Sequence, residues 1–115
     1  RSTFYRGWRN AMKIEKGIHR PYQLDVSDRR GALHRSIKYK DDGADELMVK
    51  PGMTSLDLIS DIKMFSHKPT GVYQTSGEYL GIGAPGSLLE TYKVFERAGA
   101  DFMITYGARD LVGQV

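Results

Sequence analysis

A three-residue sequence that occurs twice constrains the fold of this chain more than any other feature. Gly43-Ala44-Asp45 and Gly99-Ala100-Asp101 each follow a stretch with helical periodicity and precede a short apolar run. A glycine that ends a helix just before a buried strand is typical of the β/α alternation that builds a parallel sheet. The sequence therefore predicts an α/β protein.

Periodicity and capping residues predict three strands and three helices after residue 24. The predicted strands are about 46–49, 70–75 and 102–106, and their apolar centres favour a parallel sheet covered on both faces. The predicted helices are about 27–42, 54–65 and 87–98. Ser27 is the expected N-terminal cap of the first helix, with Asp28 at the positive end of its dipole, and Thr54 or Ser55 is the expected cap of the second. The side chains predicted to face inward are Leu33, Ile37, Leu58, Ile59, Ile62, Phe65, Leu88, Leu89, Tyr92 and Phe95.

Residues 1–24 have no sustained periodicity, and we expect an extended basic arm with one helical turn at about 9–16, followed by a βαβαβ domain over 25–115. Residues 1–40 hold 11 of the 17 Lys and Arg but 3 of the 14 Asp and Glu, a net charge of +8, whereas the remainder carries −5. Phe4, Tyr5, Trp8 and Tyr22 are interspersed among these basic residues. This pattern suits contact with RNA or an acidic protein, and equally a loop that closes over a carboxylate substrate.

Composition excludes several classes of protein. No apolar run approaches the roughly 20 residues that a membrane-spanning helix needs, so no membrane span is expected. The chain has no cysteine, which excludes disulfides and thiolate-bound zinc and suits a reducing, intracellular location. The three histidines lack metal-ligand spacing, and the glycines of 81–86 lack the Gly-Lys-Ser/Thr of a phosphate loop. We therefore expect no metal and no cofactor.

Three polar side chains are predicted to lie where the strands end. Lys50 follows the first strand, Ser76 the second and Tyr106 the third. Lys50 and Tyr106 each stand five residues after the aspartate of the repeat, and this equal spacing predicts the same height for both side chains at the carboxyl end of the sheet. Sites in α/β proteins lie at the carboxyl ends of strands. A lysine there can be partly desolvated and form a Schiff base with a carbonyl substrate, but a plain structural lysine fits the residues as well. Ser76 and Tyr106 could equally complete hydrogen bonds in turns.

Three longer segments resemble the C-terminal part of porphobilinogen synthase, also called 5-aminolevulinate dehydratase. These are Asp42 to Asp57 around the Met48-Val49-Lys50-Pro51 motif, Val72 to Tyr79, and Arg97 to Tyr106. Phe4-Tyr5 with Arg9, and Tyr22-Gln23-Leu24, extend the resemblance to nearly the whole chain. The resemblance implies the last three units of a (β/α)8 barrel, because a complete barrel needs about 250 residues. It also implies an enzyme that condenses two 5-aminolevulinate molecules during haem biosynthesis.

The resemblance assigns roles to five residues. It implies that Lys50 binds substrate as a Schiff base, that Ser76 and Tyr106 hold the carboxylate of that substrate, and that Arg9 and Gln23 hold the carboxylate of the other substrate. The second Schiff-base lysine and any cysteine-rich zinc site of the family would lie upstream of Arg1.

The sequence also departs from the family pattern. His19 replaces an arginine that grips carboxylate, and Arg35 replaces a glutamate that binds magnesium in some relatives. The arm reads Phe4-Tyr5-Arg6-Gly7-Trp8-Arg9 where the family has Phe-Tyr-Gly-Pro-Phe-Arg, and the connection after Tyr79 is short.

These departures favour a non-catalytic structural subunit of a larger assembly, such as an organelle ribonucleoprotein or a respiratory complex. A fragment of an active porphobilinogen synthase is the alternative. The location would be a mitochondrion or plastid, or otherwise the cytoplasm. Three parallel strands alone leave a sheet face uncovered, so we expect other protein chains, or a second copy, to cover it.

Overall fold

The computed structural model describes residues 23–115, which form a three-stranded parallel sheet and the helices that pack on it. In chain order the elements are α1 (Arg29–Asp41), β1 (Leu47–Val49), a 3₁₀ turn (Met53–Ser55), α2 (Leu56–Ser66), β2 (Thr70–Tyr73), α3 (Ser76–Leu80), α4 (Ser87–Ala98), β3 (Phe102–Ile104) and α5 (Ala108–Leu111). The predicted α/β class and the three-stranded parallel sheet are confirmed. None of the helices in this part of the chain is long and apolar enough to span a membrane.

The sheet has the order β1-β2-β3, and its register places Val49 beside Val72 and Val72 beside Met103. Leu47 and Val49 point to the helices, where they pack with Val72 in the core. Met48 and Ile104 point to the opposite face and are 46% and 42% exposed. One face of the sheet is therefore covered by helices, and the other is open in the described part of the chain.

Helices α2 and α4 supply most of the core that covers the sheet. Ile59, Ile62 and Ser66 recur along one side of α2 and are buried, and Phe95 of α4 is 1% exposed beside them. The prediction that Phe65 faces inward is wrong, since its side chain is 54% exposed. At 100° per residue Phe65 lies on the flank of the buried stripe, beside the half-buried Leu58.

Helix α1 begins one residue later than Ser27 would place it. Asp28 is the N-cap, and its Oδ1 accepts a hydrogen bond of 2.8 Å from the backbone N–H of Gly31. A Cβ at position 31 would lie 2.1 Å from Asp28 Oδ2. The absence of a Cβ at Gly31 therefore lets the Asp28 side chain fold back over the first turn and cap it. This cap accompanies a residue whose low helix propensity weakens α1.

The chain turns into helices sooner after β2 and β3 than the apolar runs suggest. Strand β2 ends at Tyr73 and not at Thr75, and β3 ends at Ile104 and not at Tyr106. Thr75 forms a capping box with Glu78, which starts the short helix α3 at Ser76. Neither α3 nor α5 was predicted from periodicity, because helices of four or five residues are too short to show it.

Candidate functional site

Lys50 directly follows β1 at the carboxyl end of the sheet, on the same face as Met48. Its Nζ lies 4.0 Å from the centroid of the Tyr73 ring, on the neighbouring strand β2. A cation over an aromatic face at this distance is attracted by the ring quadrupole. The predicted desolvation of the lysine is not seen, because Lys50 lies on the open sheet face and is exposed. The described residues thus orient the amine over Tyr73 without enclosing it.

The backbone just after Lys50 is held by the buried side chain of Glu78. Its Oε1 accepts a hydrogen bond of 2.6 Å from the backbone N–H of Met53, and its Oε2 accepts one of 3.1 Å from Gly52. Oε2 also accepts from the backbone N–H of Thr75 at 2.7 Å and from the Thr75 hydroxyl at 3.2 Å. One carboxylate therefore joins the turn after β1 to the start of α3.

Ser76 is the first residue of α3 and not the last residue of a strand. Its Oγ is buried and has no hydrogen-bond partner among the described residues. A buried hydroxyl without a partner is rare in a folded protein, because it pays the cost of desolvation without compensation. Ser76 therefore does not complete a hydrogen bond in the turn, which was the alternative interpretation of this residue.

Tyr106 follows β3 and is 53% exposed, with its ring centroid 6.1 Å from that of Tyr79. The backbone beside it is fixed by a series of hydrogen bonds that begins at Gln74, the residue after β2. The Gln74 Oε1 accepts a hydrogen bond of 2.6 Å from the Thr105 hydroxyl, and the Thr105 Oγ1 accepts one of 3.1 Å from the N–H of Gly107. This network ties the end of β3 to the end of β2, so Tyr106 has a defined position relative to Ser76.

Lys50 and Tyr106 do not lie at the same height along the sheet. The register aligns Val49 with Val72 and Val72 with Met103, so Lys50 lies one residue beyond this level and Tyr106 three. Equal spacing from the repeated aspartate therefore does not give equal height. The reason is that the two aspartates precede their strands by different distances. Asp101 directly precedes β3 and its backbone N–H donates to the Thr70 carbonyl, whereas Asp45 stands two residues before β1.

Of the remaining predicted site residues, Gln23 is half-buried ahead of α1 and lies on none of the three strands. Arg9, His19 and the predicted helical turn at 9–16 lie outside the described residues. Across residues 23–115 no cluster of three or more His, Asp or Glu side chains could hold a metal ion. A pocket of about 410 Å³ lies beside Tyr79, between the connection over residues 82–86 and α5, and neither Lys50 nor Ser76 lines it.

Glu78, Gln74 and Thr105 hold the segments of the three predicted site residues in place, and no role for them was predicted from the sequence. A signal for Glu78 was present, since a threonine followed three residues later by a glutamate is the signature of a capping box. The bonds from Glu78 to Gly52 and Met53 span about 25 residues of sequence, and no local pattern encodes them.

Comparisons with known proteins agree on one family. The family model described as delta-aminolevulinic acid dehydratase matches residues 1–114. The delta-aminolevulinic acid dehydratase of Escherichia coli strain K12 is 36% identical over 120 residues, covering 96% of this chain and 37% of the relative. The chloroplastic enzyme of Glycine max is 36% identical over 118 residues, covering 93% of this chain and 29% of the relative.

A solved structure gives the same result. The delta-aminolevulinic acid dehydratase of Toxoplasma gondii ME49, crystallised with its reaction product porphobilinogen, matches 99% of this chain with a TM-score of 0.88 and 34% identity. The match covers 36% of that protein, so this chain spans about a third of the length of its relatives. Lys50, Ser76 and Tyr106 thus lie just beyond the carboxyl ends of three strands in a chain that belongs to the delta-aminolevulinic acid dehydratase family.

Proposed function

We propose that this chain forms the part of a delta-aminolevulinic acid dehydratase that binds one 5-aminolevulinate molecule through Lys50. The observation that carries the proposal is the position of Lys50, Ser76 and Tyr106 in the segments that follow three adjacent parallel strands in a member of this family. In the same proposal the three strands are the last three of a (β/α)8 barrel. The open face that carries Met48 and Lys50 is then the interior of the barrel.

The chemistry that Lys50 would perform is formation of a Schiff base. The uncharged amine attacks the ketone carbon of 5-aminolevulinate and forms a C–N bond. The carbonyl oxygen then leaves as water together with the two amine hydrogens, and a C=N bond to the lysine remains. The Tyr73 ring beneath Nζ favours a cation there, and the protonated imine is also a cation.

Ser76 and Tyr106 would hold the carboxylate at the other end of the same substrate. The buried Ser76 Oγ has no partner in the described part of the chain and can donate a hydrogen bond. The Tyr106 hydroxyl is a second donor, and its ring is steadied by Tyr79. Two hydroxyls match the two N–H donors of a bidentate guanidinium in number, but they lack its charge and its fixed geometry, so positioning matters more for this pair.

The comparisons support an enzyme of this family and offer nothing for the structural subunit that the departures at His19 and Arg35 had favoured. Arg35 lies on α1 and not on the segments that carry Lys50, Ser76 and Tyr106, and His19 lies outside the described residues. The departure at Arg35 therefore leaves these three residues in place.

The proposal is tested by trapping the Schiff base, because a chain that spans about a third of its relatives is not expected to form porphobilinogen by itself. The 115-residue chain is incubated with 5-aminolevulinate and sodium borohydride, and the modified lysine is located by peptide mass spectrometry. We expect modification to be concentrated at Lys50, to saturate with substrate and to disappear in Lys50→Ala.

Lys93→Ala is the matched control, because Lys93 is an exposed lysine on α4, remote from the ends of the strands. It should leave trapping at Lys50 unchanged. Modification spread evenly over the lysines, or a yield at Lys50 that rises linearly with substrate, would refute the proposal.

A further inference from the structure

We propose that Glu78 is a positioning residue that fixes Lys50 relative to Ser76, so that the amine and the carboxylate-binding hydroxyl are set for one length of substrate. This inference rests on the function proposed above. In that proposed function Glu78 does not contact the substrate. It acts through the backbone segments next to Lys50 and Ser76, which do contact it.

The bonding pattern of Glu78 exceeds what a helix cap requires. A capping box needs only the bond from the backbone N–H of Thr75 and the return bond to that residue's side chain. Here Oε1 is bonded to Met53 and Oε2 is shared between Gly52 and Thr75. The two donors that a cap does not need belong to the turn that follows Lys50.

The distances along the chain explain why this one carboxylate matters. Gly52 stands two residues after Lys50, and Ser76 stands two residues before Glu78 and next to Thr75. A shift of the Glu78 carboxylate would therefore move the backbone near Lys50 and the backbone near Ser76 relative to each other. Through its bonds to Gly52, Met53 and Thr75, Glu78 joins the turn after β1 directly to the start of α3.

Burial and charge hold the Glu78 carboxylate in its position between the two segments. Glu78 is 6% exposed, and none of the ion pairs in the described part of the chain includes it. Its charge is met by three backbone N–H groups and one hydroxyl. Charge-assisted hydrogen bonds to backbone donors are short and directional, and backbone groups cannot rotate away as a lysine side chain can. The turn that Glu78 holds also packs closely on the core, because a Cβ at Gly52 would lie 2.5 Å from the Phe95 ring.

The experiment compares trapping of two ketones at Lys50. 5-Aminolevulinate carries a carboxylate, and aminoacetone has the same amino ketone head without one. The position of Lys50 relative to Ser76 matters only for 5-aminolevulinate, because only this ketone has a carboxylate for Ser76 to bind. We therefore measure the ratio of the two trapping efficiencies at Lys50. In Glu78→Gln one oxygen becomes an NH₂ group, which cannot accept from Met53 if the other oxygen keeps its bonds to Gly52 and Thr75.

We expect Glu78→Gln to reduce the preference for 5-aminolevulinate by about tenfold, the loss that accompanies one charge-assisted hydrogen bond. Trapping of aminoacetone at Lys50 should persist, and the far-ultraviolet circular dichroism should be unchanged. Glu78→Asp keeps the charge but is one methylene too short to reach both segments, so it should show the same loss. Glu90→Gln, an exposed glutamate of α4, is the matched control and should keep the preference.

The outcomes separate this inference from the proposed function. If the parent chain shows no preference at Lys50, the proposed function fails and the inference fails with it. If the parent shows the preference and both Glu78 variants retain it, the inference alone is overturned. Variants that lose helical signal and trap neither ketone would assign Glu78 a purely structural role, which also overturns it.

Discussion

Asp101 shows how a single residue can align two strands and respond to pH. Its Oδ2 accepts a hydrogen bond of 2.8 Å from the backbone N–H of Thr70, and its Oδ1 forms an ion pair with Lys63 of α2. The ion-paired hydrogen bond from Lys63 and the bond from Thr70 lower the pKa of the Asp101 carboxyl below its ordinary value. Both bonds are stronger to the charged form, so the carboxylate stabilises the entry to β2 and β3 most while it is ionised.

We predict that Asp101→Asn destabilises the chain at neutral pH and has little effect in acid. A carboxyl whose pKa is depressed by folding contributes stability fully above the ordinary aspartate pKa of 3.8 and loses it as pH falls through the depressed folded value. The difference in unfolding midpoint between the parent and Asp101→Asn should therefore be largest near neutral pH and should shrink below 3.8. Thermal unfolding followed by circular dichroism at a series of pH values measures this difference.

Asp45 supplies the control, because it is the equivalent aspartate of the Gly-Ala-Asp repeat but is exposed and forms no ion pair in the described part of the chain. Asp45→Asn should change the midpoint little. A midpoint difference for Asp101→Asn that stays constant down to the lowest pH would show that the charge is irrelevant and that the amide substitutes for it.

At the level of elements, helix α4 was predicted at the residues where it is found, Ser87–Ala98, whereas the ends of the strands were not. Its apolar residues recur at helical spacing around Phe95, and Gly99 ends it with a φ of 106°. The end of β2 depends instead on Glu78, whose bonds reach the turn after β1. Periodicity records which side of an element is buried, but bonds between distant segments decide where a strand stops.

In the candidate site, too, some features follow from local sequence and others depend on contacts between distant segments. The positions of Lys50, Ser76 and Tyr106 near the carboxyl ends of the strands follow from the order of apolar runs and turns. Their relative heights do not, because the register is set by pairing such as Thr70 with Asp101. The exposure of Lys50 was also not predictable from its own sequence, since it depends on what covers the opposite face of the sheet.

We predict that two phenylalanines of adjacent helices differ sharply in their contribution to stability. Phe95 is 1% exposed within the core cluster, and truncating a buried phenylalanine to alanine costs about 3–5 kcal/mol. Phe65 is 54% exposed, and surface substitutions are usually within about 0.5 kcal/mol. Phe95→Ala should therefore lower the unfolding midpoint strongly, and Phe65→Ala hardly at all.

Thermal unfolding of both variants under identical conditions measures this contrast. Comparable losses would mean that Phe65 faces inward, as its spacing from Ile62 suggests, and that the described position of α2 is wrong. Equal and negligible losses would mean that α4 does not pack on the sheet.

For the whole molecule, part of the charge asymmetry is neutralised within the fold. Arg29 pairs with Asp61, Lys38 with Asp42 and Lys40 with Asp41. All three carboxylates lie beyond residue 40, so the +8 of residues 1–40 overstates the positive charge that a partner would meet. Contact of this segment with RNA or an acidic protein remains a prediction, and its outcome depends mostly on residues 1–22, outside the described part.

The open sheet face is the other feature that belongs to the whole molecule. It carries the exposed apolar side chains Met48 and Ile104 beside Lys50 and Tyr73. Apolar residues at this density on a sheet surface are normally covered, in the proposed function by the remainder of a barrel. In the absence of that cover, burying the face against another chain removes it from water.

We therefore predict that the isolated chain associates with itself through this face and unfolds over a broad temperature range when dilute. Met48→Thr with Ile104→Thr should reduce both the concentration-dependent association measured by sedimentation velocity and the binding of an apolar dye, because threonine keeps strand propensity while removing apolar area. Val112→Thr is the control, since Val112 is 79% exposed but lies outside the sheet. A dilute monomer that melts sharply and binds no dye would contradict the prediction, because it would show that the chain already covers this face itself.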